Sequence, residues 1–201
     1  MVWRMLLALM LTGVMSGCQA GLAGVLPGEA GAALTQTMRY FDGQRWREVW
    51  VNEREVVEFF PPGQAVAARA VAPAATLLVE GVGVRIWRLG QQAGEAVAVS
   101  RALAPAKQLS PVFHLSSVGG SRLALTGNIV VRFKPEWSDK QIQAWIAAQN
   151  LTQIKMLNGV SAIYVISVGS GLDALARANA IQESGAVVYA MPEWWREISK
   201  R

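Results

Sequence analysis

The chain has 201 residues, with 19 Lys and Arg, 14 Asp and Glu, one His and one Cys. Its net charge of +5 is spread evenly, so no basic stripe for nucleic acid is present. A lone cysteine excludes an intramolecular disulfide. One histidine without H-E-x-x-H or clustered Asp argues against a metal site, and no cofactor motif is found.

Residues 1–17 read as a signal peptide. Arg4 precedes the apolar run from Met5 to Met15, which is too short to span a bilayer and suits a secretory h-region. The tetrad Met15-Ser16-Gly17-Cys18 resembles a bacterial lipobox, with Met15 in place of the usual Leu. That resemblance implies cleavage before Cys18 and lipidation of its thiol and new amino group. Gln19 is compatible with sorting to the outer membrane, facing the periplasm. The alternative is an ordinary signal cut after Ala20. Residues 18–35 are rich in Gly and Ala and are predicted to be a flexible tether. After residue 18 no segment reads as a transmembrane helix.

Residues 36–116 are predicted to be a small, mostly antiparallel β domain. Met38-Arg39-Tyr40-Phe41 leads into Asp42-Gly43, a hairpin signal, and Arg45–Val51 alternates with period two. A turn is expected at Asn52–Glu55, then β structure at Val56–Phe60. Further strands are expected at Ala67–Val71, Thr76–Val79, Val84–Leu89 and Ala96–Ser100. Trp46 and Trp50 lie four apart and therefore on one strand face, with Glu48 between them. They either cover a core or form a secondary peptide-binding face. His114 sits in the alternating run Val112-Phe113-His114-Leu115-Ser116, with no nucleophile elbow. A structural role is expected for it, no catalytic residue is predicted, and the chain reads as a binding protein. Residues 117–127 are a predicted linker.

Residues 128–191 carry clearer periodicity. Asn128–Phe133 is a strand ended by Lys134-Pro135. Ser138 and Gln141 form a capping box for a helix whose stripe is Ile142, Trp145 and Ile146, ending at polar Gln149. Leu151–Leu157 is a second strand, Asn158-Gly159 a type I′ turn and Ala162–Val168 a third strand. Leu172, Leu175, Ala178 and Ile181 mark a second helix, with Gly185 as its left-handed cap. Val187–Ala190 is the fourth strand. The order βαββαβ predicts an α+β, ferredoxin-like unit: an antiparallel sheet with both helices on one face. The other face has no helix of its own, so it must be polar, pack on the β domain or take a partner.

Asn128-Ile-Val-Val-Arg-Phe-Lys-Pro135 and Gly185-Ala-Val-Val-Tyr-Ala-Met-Pro192, with the elements between them, resemble the N-terminal prodomain of bacterial subtilisin-family serine proteases. Val131, Phe133, Lys134 and Pro135 match the first motif of that family, and Val187, Ala190 and Pro192 match the closing one. The stretch from Tyr40 to Val51 resembles an extra upstream segment of the same precursors. Met191 stands where the family often has glutamate, and Trp194-Trp195 replace its usual continuation.

The resemblance implies a free-standing inhibitor or folding chaperone of a subtilisin-like protease, and no small-molecule substrate. The sheet would rest on the enzyme and the C-terminal tail, residues 192–201, would lie in its substrate cleft. The expected contacts are Tyr189, Ala190, Met191, Pro192, Glu193, Trp194, Trp195 and Arg201. An extended tail can add to a cleft as a strand while alternate side chains enter pockets. Trp194 and Trp195 are either anchors in that cleft or fold back on their own sheet. The competing function is a lipid-anchored adaptor or envelope-assembly protein with no protease target.

Overall fold

A computed structural model describes residues 34, 36–60, 68–90, 96–102, 108–157, 162–169 and 171–198. Cys18, the tether apart from Leu34, the Asn158-Gly159 turn and Arg201 lie outside the described residues. Among the described residues nine strands form one sheet.

Strands β1 (Gln36–Phe41) and β2 (Trp46–Phe59) form the predicted hairpin. Its turn is held by Asp42. One carboxylate oxygen accepts from the amides of Gln44 and Arg45, both at 2.9 Å, and the other accepts from Arg47 Nε at 2.7 Å. β2 runs on through Asn52–Glu55, where a turn was expected. The irregularity there is a bulge against the next partner strand, between Asn52 and Val56. Asn52 Oδ1 accepts from the Arg54 amide at 3.0 Å, so the bulge satisfies itself locally.

Next come α1 (Ala68–Val71), β3 (Thr76–Gly81), β4 (Val84–Arg88), α2 (Ala96–Ala102) and β5 (Gln108–His114). The segments at α1 and α2 were expected to be strands and are helices. Alanine has the best helix propensity. Ala68, Ala72 and Ala96 also share a buried core with Val56, Trp87 and Leu109 of the sheet.

The C-terminal unit is β6 (Leu123–Arg132), α3 (Asp139–Ala148), β7 (Thr152–Met156), β8 (Ile163–Ser167), α4 (Gly171–Glu183) and β9 (Tyr189–Arg196). Its strands lie in the order β9-β6-β8-β7, each neighbouring pair antiparallel. Ile142 and Ile146 of α3 and Ala174, Ala178 and Ile181 of α4 share one core with Ile129, Val131, Phe133, Tyr164, Ile166 and Ala190, so both helices cover the same sheet face. The capping box forms: Ser138 Oγ accepts from the Gln141 amide and Gln141 Oε1 accepts from the Ser138 amide.

Two differences from the expected domains matter for function. β6 begins at Leu123, inside the predicted linker, and Leu123 pairs with Phe113 of β5, so the sheet continues from the upstream half into the C-terminal unit. The last strand starts at Tyr189 rather than Val187 and runs to Arg196, taking in residues assigned to the tail. Close approaches fix this junction. A Cβ on Gly171, the first residue of α4, would lie 3.0 Å from Ser110 Cβ and 3.1 Å from the Leu125 carbonyl oxygen.

Candidate functional site

Side chains alternate across the sheet, and the alternation sorts the predicted contact residues. The face away from α3 and α4 presents Val130 with its cross-strand neighbours Val165 and Met191, and beside them Arg132 with Ile163 and Tyr189. Val130, Ile163 and Val165 are buried, Tyr189 and Met191 are half-buried, and Arg132 and Lys155 are exposed. An apolar centre with a charged rim is the composition of an interaction surface. The β1–β2 turn approaches its edge, where a Cβ on Gly43 would lie 3.5 Å from Met191 Sδ.

Tyr189, Met191, Glu193 and Trp195 point to this face, whereas Ala190, Pro192 and Trp194 point to the helix side. Ala190 belongs to the core beneath α3 and α4, and Pro192 is buried opposite Ile129. Glu193 spans a bulge in β6 between Leu125 and Ile129. Its carboxylate accepts from the Thr126 hydroxyl and the Asn128 side-chain amide, each at 2.8 Å.

Residues 192–196 do not project from the sheet as the expected tail. Trp194 and Trp195 pair with Leu125 and Ala124 and straddle the strand. Trp194 enters the core of Tyr40, Val49, Val51, Phe113, Leu123, Leu125, Leu172 and Leu175. Trp195 packs on the opposite face, edge-on to Phe59 at 6.3 Å, beside Val57, Ile86, Val112 and Ala124. The physical reason is area: two indoles bury more apolar surface against these neighbours than a tail in water could.

Trp46 and Trp50 do share a face of β2, but Val49 and Val51 are the residues that enter the core. Trp50 is half-buried. Trp46 is 38 % exposed, edge-on to Phe41 at 5.7 Å and under the Arg39 guanidinium at 4.6 Å. His114 is buried in β5. Its Nδ1 lies 3.0 Å from the Gly120 carbonyl oxygen and so carries the proton that it donates there. Among the described residues no three His, Cys, Asp or Glu side chains group as a metal site, and no helix is long and apolar enough to cross a membrane.

A charged cluster escaped sequence reasoning. Glu55, 5 % exposed, accepts from Arg122 Nε at 2.6 Å, and Arg122 also donates to Glu197 at 3.2 Å. The Glu55 carboxylate raises the pKa of the Arg122 guanidinium, against the lowering effect of burial. The cluster ties β2, the entry to β6 and the end of β9 together. No local pattern marks such a pair, because its members come from distant strands.

Residues 120–193 match the family model of the fervidolysin N-terminal prodomain, a subtilisin-type prodomain. The matched span runs from just before β6 into β9, the last strand of the βαββαβ unit, and stops at Glu193, before Trp194. No curated protein and no solved structure matches the chain.

Proposed function

We propose that this chain binds a subtilisin-like serine protease of the envelope or surroundings, as inhibitor, folding chaperone or both. The carrying observation is that the span similar to a subtilisin-type prodomain takes in the βαββαβ unit as far as Glu193 of its last strand, and that the helix-free face of this unit has an apolar centre. The strand order β9-β6-β8-β7 supports a ferredoxin-like arrangement. In this reading the half-buried Tyr189 and Met191, beside the buried Val130 and Val165, meet the enzyme surface, and the chain after Glu193 reaches its cleft by strand addition. The protein itself carries out no chemistry. Its contribution is binding energy and, for a chaperone, a template on which the enzyme folds.

Capture from envelope and culture supernatant tests this directly, followed by progress curves of the captured protease with and without the protein. Inhibition by the full chain is expected. Refolding the denatured enzyme with and without the protein separates chaperoning from inhibition. Capture of envelope-assembly proteins alone would favour the adaptor reading, for which the exposed Trp46 beside Arg39 is the supporting observation.

Anchoring by lipid at Cys18 belongs to the same proposal, because several acyl chains hold a protein on a membrane far better than one. Metabolic labelling with palmitate should mark the wild type and miss Cys18→Ser.

A further inference from the structure

We infer that the second half of β9, Trp194–Arg196, is an exchangeable strand, which leaves β6 to enter a partner's strand-binding cleft. This inference rests on the protease reading and adds to it the segment that must move.

Four observations converge on these residues. First, the ladder between β9 and β6 is divided. Ala190 and Met191 pair with Val131 and Val130, whereas Trp194, Trp195 and Arg196 pair with Leu125, Ala124 and Leu123 across the β6 bulge. Second, the divider is weak in main-chain terms. Pro192 has no N–H to donate, and Glu193 bridges the gap through its side chain. The far half is held by contacts of its own, namely its two indoles and Glu197 on Arg122, while the near half stays in the core under α3 and α4. Third, the Trp194 indole N–H is buried without a hydrogen-bond acceptor. A buried donor left unpaired is costly, so the seated strand is less stable than its apolar contacts alone suggest, and release gives that donor a partner. Fourth, the matched prodomain span stops at Glu193, so Trp194–Arg196 lie beyond it although their β6 partners Leu123–Leu125 lie within it.

The chemistry required of the partner follows. A segment with alternating side chains and unsatisfied main-chain groups needs a cleft that forms main-chain hydrogen bonds. It also needs an apolar pocket with an acceptor for an indole N–H. The seat on β6 and that cleft compete for the same residues. The affinity seen by the partner is then the intrinsic affinity reduced by the fraction of chains with the strand released.

A reversible lock tests this in the full chain. Leu123 and Arg196 are cross-strand partners, so Leu123→Cys with Arg196→Cys, in a Cys18→Ser background, places two thiols across the exchanging half and keeps both tryptophans. With the disulfide formed, inhibition of a subtilisin-like protease should fall by roughly 100-fold and return on reduction of the same sample. Equal inhibition by the locked and reduced forms would overturn strand exchange and leave the protease reading standing. Hydrogen exchange on the wild-type chain gives a readout independent of any protease. The amides of Trp194–Arg196 should exchange at least roughly 10-fold faster than those of Ala190 and Met191. Absence of inhibition by the wild type, with that difference in exchange present, would reject the protease reading and keep the release of the strand. Equal protection of both halves would overturn the release itself.

Discussion

The indole of Trp194 meets the ring of Tyr40 edge-on, with centroids 5.2 Å apart and planes at 68°. The same indole meets Phe113 at 5.3 Å, so the last strand, the first strand and β5 share one aromatic core. Removing it leaves a cavity between the upstream sheet and the C-terminal unit. Trp194→Ala should cost about 3 kcal/mol of unfolding free energy. The expected urea transition is single and shifted, because both halves share this core. A loss below about 1 kcal/mol would show that the site collapses around the vacancy.

Glu55 and Arg122 form a pair in which the carboxylate is buried and the guanidinium only partly so. Arg122→Met leaves Glu55 with the weaker Arg88 contact at 3.5 Å. A loss of about 3 kcal/mol is expected from stranding a buried charge. Glu55→Gln with Arg122→Met should cost less than Arg122→Met alone, since the buried charge is then gone. A double-mutant cycle with no coupling would contradict the geometry.

Asp42 is half-buried, and its carboxyl is held well below the usual carboxylate range, first by the Arg47 side chain and then by the amides of Arg45 and Gln44. A depressed folded-state pKa gives stability that is present above the unfolded value of about 3.9 and is lost as pH falls through the folded pKa. The hairpin turn should therefore stay intact at pH 4 and loosen only in strong acid. Titration of the Asp42 carboxyl by NMR should show it ionised at about pH 3, well below an unperturbed Asp. In Asp42→Asn the acid-dependent part of turn stability should vanish.

Much of the fold was legible because periodicity and turn chemistry agreed. Ser138 and Gln141 gave the start of α3, Gln149 its end, and Gly185, with φ of 66°, the left-handed cap after α4. The alanine segments at 68–71 and 96–102 were misread because alanine has no periodic signature of its own. Their helical state is set by propensity and by the sheet that they cover. For Trp194 and Trp195 the sequence left cleft anchors and folding back on their own sheet both open; they fold back, one to each face, and their seat was invisible. It is built by Tyr40, Phe113 and Phe59, all distant in sequence. The 117–127 segment read as a linker because its glycines and serines mask the five residues, 123–127, with which β6 begins.

Gly127 has φ of 88° in the β6 bulge, and an added Cβ would collide with the Gly169 carbonyl oxygen. Gly127→Ala should cost about 3 kcal/mol, through strain at positive φ and that collision. The expected readout is a lowered thermal midpoint with weaker hydrogen-exchange protection across Leu125–Ile129. A midpoint within a degree of the wild type would show that the loop before α4 yields freely.

The most direct measurement of the central claim is titration of a subtilisin-like protease with the full chain, read from progress curves, beside Tyr189→Ala and Met191→Lys. The account predicts saturable inhibition by the wild type, weakened at least roughly 10-fold by Met191→Lys, because a charge enters the apolar centre of the face. Undiminished protease activity at saturating protein, or inhibition unaltered by both substitutions in folded variants, would contradict it.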